Sequence, residues 1–118
     1  MPKTNTTVRF NRDAIARILQ SQVNGSEFTY EELVDEQKFA GFELTVPVES
    51  SEGIEVTTVT QVSKTELDKL ILEVAKVAAK VAGVSSSTIK YTFADSNSGL
   101  TRGCVVESVE VILNSITR

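Results

Sequence analysis

No histidine occurs in these 118 residues, and Cys104 is the only cysteine. Without histidine the chain lacks the side chain best suited to proton transfer near neutral pH, and the commonest metal ligand. Together the two shortages exclude Ser/His and Cys/His nucleophilic machinery and any zinc site built from cysteine and histidine within one chain. A lone cysteine can form no intramolecular disulfide, which fits a reducing compartment. Tryptophan is absent, aromatics make up 6% of the residues and proline appears twice, so the expected core is aliphatic. Residues 67–84, the most apolar stretch, are interrupted by Asp68, Lys69, Glu73, Lys76 and Lys80 and do not read as a membrane span. The polar start Met1-Pro2-Lys3-Thr4-Asn5-Thr6-Thr7 lacks the apolar segment of a secretion signal, and a cytoplasmic chain is expected.

What is present points to one globular domain over residues 1–118, with 41% hydrophobic and 24% charged residues. The net charge of −4 is unevenly spread: residues 27–73 hold twelve acids against three lysines, while residues 1–26 carry Lys3, Arg9, Arg12 and Arg17 against Asp13. This disfavours nucleic acid as a partner, because a polyanion is bound by a concentrated positive surface.

Three helix starts carry the same two devices, a capping side chain and a hydrophobic staple. The first pairs Asn11 with Phe10 and Ile15, followed by Ile18, Leu19 and Val23 on one face and ended by Asn24-Gly25. The second pairs Thr29 and Glu32 with Phe28 and Leu33, predicting a short helix to about Lys38 before a Phe39-Ala40-Gly41 turn. The third uses Ser63 and Glu66 with Val62 and Leu67 and opens the longest helix, to about Ala82, with Gly83 as its stop. Leu67, Ile71, Val74, Ala78 and Val81 form its core stripe, which Leu70, Val77 and further alanines widen to about half the circumference.

Two hairpins flank that helix. Residues 42–48 and 54–62 make the first, with Pro47 calling for an edge or a bulge. The second joins a strand carrying Ile89, Tyr91 and Phe93 to residues 104–113, whose Val105, Val109, Val111 and Leu113 read as one face and Cys104, Val106 and Ile112 as the other. Thr6 to Phe10 is a possible extra strand. The expected fold is α+β: a mainly antiparallel four-stranded sheet of two hairpins, one long helix packed on it, and two shorter N-terminal helices.

Candidate sites are few. Glu31, Glu32, Asp35 and Glu36 fall at helical spacings that could approach a cation, but acids are favoured in a first helical turn in any case. Asp95-Ser96-Asn97-Ser98-Gly99 opens like a calcium loop and then fails, with Gly99 at the fifth position and Val106 at the twelfth. Gly99 to Gly103 lacks the lysine and following helix of a phosphate loop. No metal and no cofactor is expected. The loop before Cys104 is long for a hairpin, and Asn97, Ser98, Thr101 and Arg102 supply a cation and hydrogen-bonding groups for a partner's phosphate or carboxylate. Cys104, beside Arg102, reads as a buried strand residue with a reactive thiol as the alternative.

The long helix has more apolar circumference than one small sheet covers. Val74, Ala75, Ala78, Ala79 and Ala82 are therefore the expected oligomer interface, with exposed edges near Pro47 or along residues 104–113 as other routes. The functional expectation is a non-enzymatic protein-binding domain, an inhibitor, adaptor or assembly component, that self-associates. The alternative is a binder of a small anionic, nucleotide-like ligand in a pocket between subunits around Arg102 and Arg9 or Arg12. A carboxylate-dependent metal enzyme is a third possibility.

Overall fold

In a computed structural model, which describes residues 3–24, 27–81, 83–94 and 103–116, the chain order is strand, helix, three strands, helix, two strands. The elements are β1 (Lys3–Asn11), α1 (Arg12–Gln20), β2 (Thr29–Asp35), β3 (Lys38–Ser51), β4 (Ile54–Ser63), α2 (Lys64–Ala79), β5 (Val84–Ala94) and β6 (Val105–Ile116). The strands form two three-stranded antiparallel sheets, β1-β6-β5 and β2-β3-β4.

This overturns the single four-stranded sheet with two short N-terminal helices. Both expected hairpins exist, as β3/β4 and β5/β6, but each lies in its own sheet and gains a third strand. One gains β1, the extra strand foreseen over Thr6 to Phe10. The other gains β2, which replaces the expected second helix: Thr29 to Asp35 ladder against β3 from Thr45 to Lys38. Glu36 and Gln37 then make the turn, both left-handed at φ 48° and 65°.

Two helix starts form as read. Asn11 Oδ1 accepts from the Ala14 amide at 2.9 Å, and Ser63 Oγ accepts from the Glu66 amide at 3.2 Å. α2 stops short of Gly83, at Ala79, because Lys80 takes the left-handed position at φ 54° and its amide bonds the carbonyls of Lys76 and Val77.

Pro47 sits where its missing N–H is harmless. β2 pairs with β3 only as far as Thr45, so beyond that point β3 is bonded to β4 alone and behaves locally as an edge. In β6, Phe93 pairs with Val106 but Thr92 with Ser108, so Glu107 is an extra, bulged residue. The bulge reverses the alternation and brings Val106 into the core with Val109, Val111 and Leu113, while Val105 is only half-buried. Residues 104–113 are therefore no edge: β6 is the central strand of its sheet.

The core lies where the sheets and helices meet. α1 contributes Ile15, Ile18 and Leu19, β3 contributes Phe39, Phe42 and Leu44, and α2 contributes Leu67, Ile71 and Ala75. It is less purely aliphatic than expected, because six of the seven aromatic residues form one continuous chain. Phe28, Tyr30, Phe42, Phe39, Tyr91 and Phe93 follow one another with ring centroids 5.3–6.2 Å apart, running from β2 through β3 to β5 and so joining the two sheets.

Beyond the buried Val46, β3 and β4 leave the body as a two-stranded arm, closed by Glu52 and Gly53, both left-handed. Its five β3 residues reach roughly 16 Å at about 3.3 Å per residue. The molecule is accordingly elongated, 66 × 31 × 20 Å with a radius of gyration of 17.1 Å. A compact chain of this length would have about 13–14 Å.

Candidate functional site

Of the residues singled out for partner binding, Asn97, Ser98, Thr101 and Arg102 lie outside the described residues, as does Ala82. The others are on α2, which carries two apolar stripes. Leu67, Ile71 and Ala75, four residues apart, are fully buried. Leu70, Val74, Val77 and Ala78 form the second stripe, turned roughly 75° from the first by the helical period. Val74 is 42% exposed and Val77 77% exposed; Ala78 is exposed and Leu70 and Ala79 are half-buried.

The expected core stripe thus splits: Leu67 and Ile71 face inward, while Val74 and Ala78 face solvent and Ala75 takes the inward place. Replacing Val74 by aspartate is not an unfolding change on this geometry. Lys69, Glu73 and Lys76 border the exposed stripe as a polar seam. Among the described residues, Val74 and Val77 are the large hydrophobic side chains of a helix that stand exposed.

The acids at 31, 32, 35 and 36 do not gather, because strand alternation sends Glu31 outward and Glu32 inward. Glu32 instead forms a bidentate pair with Arg12, Nη1 to Oε2 and Nη2 to Oε1, each 3.2 Å. The Val106 amide donates to Glu32 Oε2 at 2.8 Å, and Arg12 Nη1 donates to the Val106 carbonyl at 2.6 Å. The group bridges α1, β2 and β6, and hence the two sheets. Burial opposes the charge on Arg12, but the Glu32 carboxylate more than compensates and holds the guanidinium above its usual pKa. Arg12 also lies over the Tyr30 ring, 5.1 Å from its centroid.

Cys104 is buried, with Sγ 3.5 Å from the Gln37 carbonyl, but it lies just before β6 rather than in the strand. Among the described residues no group of three or more cysteines, aspartates or glutamates is arranged to hold a metal ion. A hollow of about 280 Å³ at the ends of β1, β5 and β6 is lined by Lys3, Asn5, Ser85, Ser86, Asn114 and Ser115. Several of its polar groups are engaged with one another or with backbone: Asn114 Nδ2 donates to Ser86 Oγ, and Ser85 Oγ to the Asn114 carbonyl.

Tyr91, in the aromatic chain, donates to Asp68 Oδ1 at 2.5 Å. Burial first, and then this bond, push its phenol pKa well above the ordinary value of 10.0. A raised folded-state pKa gives stability that is complete below the unfolded pKa and is lost as pH rises past it. The expected outcome is a steep fall in the urea midpoint of the wild type above about pH 10, with a shallower fall in Tyr91→Phe. Parallel curves for the two proteins would refute it.

No protein-family model, no curated protein and no solved structure matches this chain.

Proposed function

We propose that the chain is a non-enzymatic protein-binding domain, an inhibitor, adaptor or assembly component, whose docking surface is the outward face of α2. One observation carries this reading: a helix already anchored through Leu67, Ile71 and Ala75 presents Val74, Val77 and Ala78, beside the half-buried Leu70, to water. Spacings of four, three and one place these residues on one face, the pattern that a groove or a partner helix recognises. Covering an exposed valine contributes about 1 kcal/mol, so the stripe supplies a core of binding energy and its polar seam supplies orientation.

Val77→Asp tests the reading. At 77% exposure the change should leave folding free energy within about 0.5 kcal/mol of the wild type, because no buried contact is lost. Proteins retained from the host by the immobilised wild type should be missing from the Val77→Asp column. Identical retention on both columns would remove α2 as the docking surface.

The anionic-ligand alternative loses one of its cations. Arg12 is engaged with Glu32 and the Val106 carbonyl, leaving Arg9, exposed on β1, as the described basic group.

A further inference from the structure

β4 is the outer strand of its sheet, hydrogen-bonded among the described residues to β3 alone. Its other edge offers alternate N–H and C=O groups along ten residues, and an edge of that kind is satisfied by an extended strand. Proteins protect such edges with lysine, proline or other charge. β1 carries Lys3 and Arg9 and β2 carries Glu31, Glu32 and Asp35, whereas β5 has Lys90 alone. From Ile54 to Val62, β4 has Glu55 as its single charge, and Ile54, Val56 and Val59 are exposed, Ile54 to 64%.

The order of side chains along this edge says what fits it. Read outward from Thr58, Thr57 is matched by Val59, Val56 by Thr60, Glu55 by Gln61 and Ile54 by Val62. Each pair is two β-branched residues or the near-isosteric glutamate and glutamine. A segment chemically symmetric about its centre is what a two-fold axis demands of a strand that pairs with itself.

We propose that two copies of the chain join β4 to β4 in antiparallel register about a two-fold axis at Thr58, making one six-stranded sheet. Opposed residues in an antiparallel ladder share a face, so the axis must fall on a residue rather than between two. An axis at Thr58 overlaps Ile54 to Val62 completely and sets Glu55 against Gln61 of the partner. An axis at Glu55 would set two carboxylates against each other, which is destabilising. The join also gives the arm a third and fourth strand, where an isolated two-stranded ribbon is marginal in water. Nine paired residues form an interface well under the roughly 800 Å² per partner of a standard complex, so dissociation in the micromolar range is expected. This pairing is independent of the α2 surface.

The test uses the full chain in sedimentation equilibrium from roughly 1 µM to 1 mM, a span that covers weak pairs. The wild type should pass from monomer to dimer. Thr58→Lys, at an exposed position, should keep the wild-type circular dichroism and weaken the dimer at least about tenfold, because two lysines meet at the axis. Thr58→Cys should oxidise to a covalent dimer, its two Cα atoms being about 5 Å apart, within disulfide range. Gln61→Cys should not, as its copies lie roughly 20 Å apart. A monomer throughout, a dimer indifferent to Thr58→Lys, or equal cross-linking at both positions overturns the proposal. A dimer broken by Val77→Asp but not by Thr58→Lys overturns it as well, and assigns self-association to α2.

Discussion

Replacing Arg12 by methionine is expected to lower the unfolding free energy by about 3–5 kcal/mol, the range for breaking a buried ion pair from one side. For a domain of this size that is a fall in Tm of about 12–20 °C, at about 4 °C per kcal/mol. The two partners are unequally placed: the Arg12 side chain is 37% exposed and that of Glu32 5%. Removing Arg12 therefore strands a carboxylate with almost no access to water, whereas removing Glu32 leaves a guanidinium that water can reach. Glu32→Gln should be milder, about 1–2 kcal/mol, since its carbonyl can still accept from the Val106 amide. Combining Arg12→Met with Glu32→Gln should destabilise less than the sum of the single changes, because the stranded charge is gone. Thermal or urea unfolding of the four proteins checks this, and additive losses would mean that the pair is not coupled.

Gly41→Ala should lower stability by about 3 kcal/mol or more. Gly41 is in the middle of its sheet, opposite Leu33 on β2 and Ser63 on β4, beside the bulge between Leu33 and Val34. Its φ of 131° is one that side-chain-bearing residues rarely adopt. An added Cβ would overlap the Val62 carbonyl oxygen and lie 2.9 Å from Ser63 Cα, and both are backbone atoms that cannot turn aside. β3 and β4 would have to separate where β4 runs into α2. An alanine variant as stable as the wild type in urea would show that the strands accommodate the methyl group.

The segment before this glycine is where local pattern and structure part. Phe39-Ala40-Gly41 read as the turn after a helix because Thr29 and Glu32 have the spacing of a capping box and Phe28 and Leu33 that of a staple. In a strand the same residues alternate, with Tyr30, Glu32 and Val34 against Glu31, Leu33 and Asp35. A glutamate on the inward side hides the alternation. It is tolerated there because Arg12, twenty residues earlier, and Val106, seventy-four residues later, satisfy it. The turn gave no warning either, since Glu36 and Gln37 adopt the left-handed shape usually supplied by asparagine and glycine.

Local signals served better. The caps at Asn11 and Ser63, the hairpin across Glu52-Gly53 and the proline at a local edge all follow from residues within a few positions of one another. For α2 the helical period showed a stripe of half the circumference, and that width was the useful clue. Which half turns inward depends on how far the sheets reach, and no periodicity carries that information. The symmetry of β4 about Thr58 lies in residue class rather than in identity, and it acquires meaning only once β4 is known to be an outer strand.

The ring chain across the seam has a spectroscopic consequence. With no tryptophan in the chain, its near-ultraviolet emission comes from Tyr30 and Tyr91 alone. Tyr91 of β5 touches Phe39 of β3 across the seam, whereas Tyr30 touches Phe42 of its own sheet. An event that parts the two halves must therefore change the surroundings of Tyr91, so the native protein carries an unlabelled optical gauge of its own inter-sheet joint.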